Sequence, residues 1–455
     1  MRNVDAGEEV VVQLPGQRTT AGNAMETVVF RVLVLPVGIA ALVVTARYLL
    51  PSGQGAYFWA ILTATLMVAV VGNVGMAYAH AFRTEPRAAD ALLRIAFLLS
   101  IGIGVVAGAA LVPIDLAFAP EGYRTTALVA IGVPALVVTQ ALGGALLVHG
   151  RVRIWNVVQT LPPIAGLAAL LVLVVGFGYG VPAALLGWSA SQALAAGVAI
   201  FALRDQLRPL QMPVRAWAET RRMLSLTLRI GIANLVALLN YRIEVLVLEA
   251  QRGVREVGIY SLSVFLAELI WVVPAALAAA VIAPAASRSD REAAGTIARA
   301  ARHALVLGIV IAAALAAVAS TLVPVVFGDA FRASVTPLLI LLPGVVLFAP
   351  GSILAIWFTV RLGKMRYAIG IAMFSVAVTC AVAIALIPSQ GANGAAIATT
   401  VGYGLSMALV YVFFARTAPV RVRDFVPSRT DLADYRELGS SIRQALNRSV
   451  RADLG

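Results

Sequence analysis

The stretch Asn240 to Tyr260, NYRIEVLVLEAQRGVREVGIY, holds the side chains best suited to chemistry in an otherwise apolar chain. Arg242 and Glu244 stand among residues compatible with lipid, where a charge near the bilayer centre costs several kcal/mol unless it is paired or wetted. At about 100° per residue, Asn234, Leu238, Tyr241 and Val245 share one helical face, flanked on its two sides by Arg242 and Glu244. A rise of 1.5 Å per residue puts Arg242 about 9 Å and Glu268, on the following antiparallel segment, about 15 Å from the outer surface, within reach of each other. The chemistry on offer is neutralisation of an anion. Arginine suits phosphate through its planar donor fork, and Glu244 and Glu268 would either hold the arginines in place or bind a cation.

Plainer readings stand beside these. Arg31 and Arg47 lie near span ends, from which arginine snorkels to headgroups. Arg242 and Glu268 would also serve as a packing pair between neighbouring helices, and Asn73, between Gly72 and Gly75, as an interhelical hydrogen-bonding residue. Tyr57 and Tyr260 open helices at the outer interface and read as aromatic anchors.

The elements that carry these residues follow from composition. With 61% hydrophobic and 13% charged residues, against about 25% charged in a soluble protein, the chain reads as an all-α polytopic membrane protein. Twelve apolar runs of roughly 20 residues are long enough to cross a hydrocarbon core of about 30 Å. They are Met25 to Leu50, Gly55 to Tyr78, Leu92 to Leu111, Thr125 to Val148, Ile154 to Phe177 and Val181 to Leu203. After a polar break come Ile230 to Leu248, Gly258 to Pro284, Leu305 to Phe327, Val335 to Val360, Tyr367 to Ile387 and Gly394 to Ala415. With the N-terminus inside, 28 of the 35 Lys and Arg residues fall in inside segments and four in outside loops; Arg31, Arg47 and Arg242 lie within spans. Both termini are therefore expected to be cytoplasmic. The net charge of +13 is thus a topology signal with affinity for anionic lipids and not a nucleic-acid footprint.

Two six-helix halves emerge from an internal repeat. Gly55 and Tyr57 map onto Gly258 and Tyr260 with one offset of 203 residues, which also lays Arg31 on Asn234. An even number of spans per half makes the repeat parallel, with two six-helix bundles around a central cavity. The divisions are a cytoplasmic tail 1–24, a bundle 25–203, a cytoplasmic linker 204–229, a second bundle 230–415 and a basic tail 416–455. In that last tail Leu432, Tyr435, Leu438, Ile442 and Leu446 recur at the spacing of an amphipathic surface helix.

Several function classes drop out. The only lysine sits in RLGKMRY, so no phosphate-cradling GxxxxGK[ST] loop exists. The longest external connection, VPIDLAFAPEGYR, is too short to display catalytic acids and bases, which argues against a membrane polymerase or ligase. Cys380 stands alone, and His80, His149 and His303 are scattered along cytoplasmic edges, so no cofactor or metal is expected.

The segments LNYRIEVLVLEAQRGVREVGIYSLSVFLAELIWVVPAALAAAVIAPAAS, LVPVVFGDAFRASVTPLLILLPG and LIPSQGANGAAIATTVGYG together resemble the polysaccharide flippase family. Its superfamily also holds multidrug exporters and lipid II flippases. The resemblance implies a non-enzymatic transporter of the bacterial plasma membrane. Such a protein flips a polyprenyl-pyrophosphate-linked oligosaccharide to the outer leaflet by alternating access, driven by a monovalent cation or the membrane potential. It also implies polysaccharide polymerases and glycosyltransferases as working partners. Substrate and cavity residues are then Arg31, Asn73, Asn234, Tyr241, Arg242, Glu244 and Glu268. One departure is the eleventh span, where similar proteins carry asparagine and FSVAVTCAVAIALI offers only Ser375, Thr379 and Cys380, which shifts the expected cavity polarity to spans one, seven and eight. The alternative within the superfamily is a cation-coupled multidrug antiporter, which would favour acidic cavities with little buried arginine.

Reporters fused after Arg204 and after Arg416 are expected on the cytoplasmic side. Outside activity at either position would overturn the orientation.

Overall fold

The computed structural model describes residues 20–118, 126–208 and 216–420, and among them every regular element is helical. In hydrocarbon no water satisfies backbone N–H and C=O groups, so each segment must close its own hydrogen bonds, which a helix does. The first part of the chain forms α1 (Thr20–Val71), α2 (Val74–Thr84), α3 (Ala89–Phe118), α4 (Thr126–Ala130), α5 (Val133–Val148), α6 (Val152–Ala169), α7 (Val181–Ala202) and α8 (Arg204–Leu207). The second part forms α9 (Ala216–Arg252), α10 (Val254–Glu268), α11 (Val272–Ser287), α12 (Asp290–Phe327), α13 (Val335–Ile356), α14 (Met365–Gln390) and α15 (Ala392–Thr417). The expected amphipathic helix of the C-terminal tail lies outside the described residues, as does most of the N-terminal tail.

Among the described residues eleven helical segments are long and apolar enough to cross a membrane, where twelve spans were expected. The difference arises at the start, where the first two expected spans merge into one 52-residue segment, Leu33–Thr84. Such a length is about 78 Å as straight helix, far more than one crossing needs. Leu50, with φ 60 and ψ 175, breaks it. Leu50 is the one non-glycine at positive φ among the described residues, in a region of backbone space that is almost glycine-only. Pro51 follows; it disfavours the α region for Leu50 but does not relieve the positive φ. Gly253, between α9 and α10, has φ 78 and ψ 177, the same conformation 203 residues later.

The described chain clusters into two compact units. One comprises Met1–Tyr48 and Ala60–Ile232, the other Leu49–Trp59 and Ala233–Gly455. The stretch expected as a linker is largely helical, since α9 begins at Ala216 and runs unbroken for 37 residues. The core of the first unit gathers Tyr78, Leu93, Leu142, Leu146 and Val158. At its edge the Tyr78 hydroxyl lies 2.9 Å from His149 Nε2, and burial, aided by Arg151, pushes the His149 pKa below its ordinary 6.5. The core of the second unit packs Trp357, Phe358 and Phe414 against an alanine face of α12, Ala293 to Ala304.

Within the second unit Gly55 meets Gly258. A Cβ on Gly55 would fall 1.7 Å from the Val254 carbonyl oxygen and 2.8 Å from Gly258 N, and one on Gly258 would fall 1.8 Å from the Pro51 oxygen. The two glycines that the sequence offset equates thus touch each other, backbone to backbone, the close approach that small residues permit in membrane helices.

Leu50→Gly should relieve the strained backbone and stabilise the solubilised protein, and Gly253→Leu should destabilise it, each by about 1–3 kcal/mol read from the direction and size of the shift in thermal midpoint. A loss of stability in Leu50→Gly comparable with that in Gly253→Leu would reject the account.

Candidate functional site

The buried polar groups of the second unit converge on α9. The ion pair expected between Arg242 and Glu268 is present and bidentate: Arg242 Nη1 donates to Glu268 Oε1 at 2.6 Å and Nη2 to Oε2 at 2.8 Å. Arg242 Nη1 also donates to the Tyr241 carbonyl at 2.9 Å. The two side chains are 19% and 22% exposed. Glu268 ends α10, and the chain tightens there into a 3₁₀ turn, Leu269–Trp271, before α11. Mid-helix 3₁₀ turns often mark functional sites. This one delivers Trp271, one turn beyond Glu268, to the same place.

An aromatic cluster closes one side. Tyr241 lies edge-on to Trp271 at 5.5 Å and to Phe348 at 5.9 Å, and Phe348 stacks on Tyr403 at 4.4 Å. Trp271 Nε1 donates to the Val345 carbonyl at 3.3 Å, which satisfies the one polar atom of its ring. These rings come from α9, the 3₁₀ turn, α13 and α15.

Glu244 takes no part in holding Arg242 directly. It is 1% exposed and accepts a hydrogen bond from the Tyr260 hydroxyl at 3.1 Å, while that hydroxyl also lies 2.9 Å from Thr399 Oγ1. Tyr260 is therefore no interfacial anchor: it is fully buried and links α9, α10 and α15. A buried carboxylate needs such partners, and tyrosine supplies one with an apolar body.

The remaining sequence candidates stand elsewhere. Asn234, two turns before Tyr241 on α9, is exposed. Asn73 belongs to the first unit, at the start of α2, and its Nδ2 donates to the Ala69 carbonyl at 2.8 Å. Arg31 lies on α1, and its side chain is outside the described residues. Among the described residues no group of three or more His, Cys, Asp or Glu is placed to hold a metal.

Beside Tyr241 opens a cavity of about 180 Å³ whose lining includes Asn240, Tyr241, Phe348, Ser352, Ser375 and Ser406. Polarity here comes from α9, α13, α14 and α15 together, so the eleventh span contributes through Ser375. Asn240 is the residue that sequence reasoning missed. It adjoins Tyr241 in the chain and shares this cavity with it, and no spacing rule distinguishes it.

A family model described as polysaccharide biosynthesis protein matches residues 44–336. No curated protein matches the chain in sequence. Among solved structures, the lipid II flippase MurJ in its inward closed conformation superposes with a TM-score of 0.74 at 12% identity, over 89% of each chain. An inward-facing multidrug resistance MATE family transporter of the MOP superfamily gives 0.72 at 16% identity, over 84% of this chain and 93% of that one. A MOP superfamily transporter from Pyrococcus furiosus, described as having a binding pocket of reverse polarity, gives 0.59 at 16%, over 87% and 94%. At these identities the likeness is one of fold.

Removing one partner of a largely buried ion pair strands the other charge, which costs more than removing both. Arg242→Ala and Glu268→Ala should each lower the thermal midpoint and membrane abundance, and the double variant should recover part of the loss, with a coupling of about 1–3 kcal/mol. Strictly additive losses would mean that the two side chains do not stabilise each other.

Proposed function

Because the chain belongs to the polysaccharide biosynthesis protein family, we propose that it moves a polyprenyl-pyrophosphate-linked oligosaccharide from the cytoplasmic to the outer leaflet and performs no chemistry on it. The observation that carries this reading is the fixed guanidinium of Arg242. Glu268 and the Tyr241 carbonyl engage three of its five N–H donors, which leaves Nε–H and one Nη2 hydrogen to meet a phosphate oxygen. Its place is set before substrate arrives, so little ordering cost falls on binding. The apolar tail needs no shelter and stays in lipid, while the charged and hydroxylated head crosses with the protein by alternating access.

The setting in this reading is a bacterial plasma membrane with both termini cytoplasmic, and the working partners are the glycosyltransferases that build the glycan and the polymerase that consumes it. A cation gradient or the membrane potential drives the cycle. Glu244, buried with Tyr260 and Thr399, is the group best suited to sense a cation, and it is also the feature that a multidrug antiporter would use.

Deleting the gene should make a polyprenyl-linked glycan accumulate on the cytoplasmic side while its synthesis continues. Arg242→Lys keeps the charge and the partner Glu268 but loses the planar fork. It should reduce export about tenfold, the weight of one charge-assisted hydrogen bond, at near-normal protein abundance. An unchanged lipid-linked pool together with drug hypersensitivity would sink this reading in favour of the antiporter.

A further inference from the structure

The cavity beside Tyr241 has an unusual polarity. Asn240 is only 7% exposed, and its Oδ1 has no hydrogen-bond partner among the described residues. Such a buried acceptor costs about 1–3 kcal/mol if left unmet. The serines around it are already committed as donors: Ser352 Oγ to the Ala349 carbonyl at 3.1 Å, Ser406 Oγ to Tyr403 at 3.0 Å and Ser375 Oγ to Gly402 at 3.4 Å. Each hydroxyl has one hydrogen, so what it can still offer is lone pairs. The polar side of the cavity therefore mixes acceptors, the serine oxygens of α13, α14 and α15, with donors, the Asn240 Nδ2 and Tyr241 hydroxyl groups of α9. The rest of the lining is apolar, with the rings of Tyr241, Phe348 and Phe358, and no charged side chain borders it.

We propose that this cavity is a subsite for one neutral sugar residue of the transported glycan. The inference rests on the transport reading above and adds to it the part of the head that this unit recognises. A sugar ring matches each feature of the lining. Its hydroxyls both donate and accept, so they pair with the Asn240 carboxamide and the exposed Ser352 oxygen alike, and its C–H face lies against an aromatic ring. The absence of a cationic or anionic side chain disfavours a uronate or an amino sugar, whose charge would be desolvated without a partner. A bound metal cation fits less well. The cavity of about 180 Å³ holds the volume of roughly six waters, and no carboxylate lines it to offset a buried positive charge. The site also adjoins the arginine that the transport reading gives to phosphate, since Tyr241 borders both spaces.

The test uses the full-length protein in lipid nanodiscs and saturation-transfer NMR with free glucose, galactose, mannose and rhamnose as probes, and glucuronate as the charged control. At least one neutral sugar should receive saturation and glucuronate should not. Asn240→Leu, which removes the carboxamide at similar volume, and Ala372→Leu, which fills the cavity from α14, should each reduce the transfer at least fivefold. Both variants are to be matched to the unaltered protein in thermal midpoint, and the half-buried Ala372 position guards against a folding defect at Asn240. No transfer to any neutral sugar, or transfer indifferent to both variants, would overturn the subsite. Sodium-23 line broadening that Asn240→Leu abolishes, without sugar transfer, would assign the cavity to a cation and overturn it as well. Accumulation of lipid-linked glycan in the deletion strain alongside a failed sugar experiment leaves transport standing and removes the subsite alone. Sugar transfer as expected without accumulation does the reverse.

Discussion

A guanidinium inside hydrocarbon must be answered by a carboxylate at a fixed place, and much of the second unit is arranged around that demand. Arg242 and Glu268 meet through two parallel hydrogen bonds, which fixes the rotation and height of α9 against α10. With that register set, Glu244 on the same helix faces Tyr260 and Thr399, and the 3₁₀ turn after Glu268 delivers Trp271 to the aromatic cluster. The pair is worth little as net stability, because its attraction mainly offsets the desolvation of both charges. Its value lies in specifying one alignment of helices over the alternatives that an alanine- and leucine-rich surface would accept.

Some of this was legible in the residues. Charge inside an apolar run, together with a rise of 1.5 Å per residue, was enough to pair Arg242 with Glu268, because depth in a membrane is a one-dimensional quantity that a sequence encodes. The break near Leu50 was legible from the adjoining Pro51 and glycines. Tyr260 was misjudged because its position at a helix start fits an interfacial anchor, and only the fold brings Glu244 and Thr399 to its hydroxyl. Asn240 was invisible for a related reason: its environment is made by α13, α14 and α15, more than 100 residues away in the chain. The cluster of Tyr241, Trp271, Phe348 and Tyr403 comes from four separate segments, and no periodicity connects them. Arginine's role at Arg31 rests on the sequence alone.

Folds of this kind host transporters of different cargo, so the fold narrows the class of protein and the side chains must choose among its members. Here two adjoining spaces divide the chemistry. One presents positive donors from a clamped arginine, the other presents neutral polar groups with aromatic walls. An amphiphile whose head carries phosphate at one end and hydroxyls beyond it presents the complementary pattern in the same order. A hydrophobic organic cation would find no carboxylate in the larger space, and beside Arg242 only Glu244, which already accepts a hydrogen bond from Tyr260.

Leu50 and Gly253 hold one backbone shape, the first under steric strain and the second freely because it lacks a Cβ. A comparison that scores residue identity sees a leucine against a glycine and finds nothing in common. A comparison of backbone angles aligns the two positions at once. At 12–17% identity to the solved structures of the same fold, dihedral signatures of this kind are therefore a better ruler than letters for placing distant chains in register, and the break before the second helix of each pair is a natural origin from which to count.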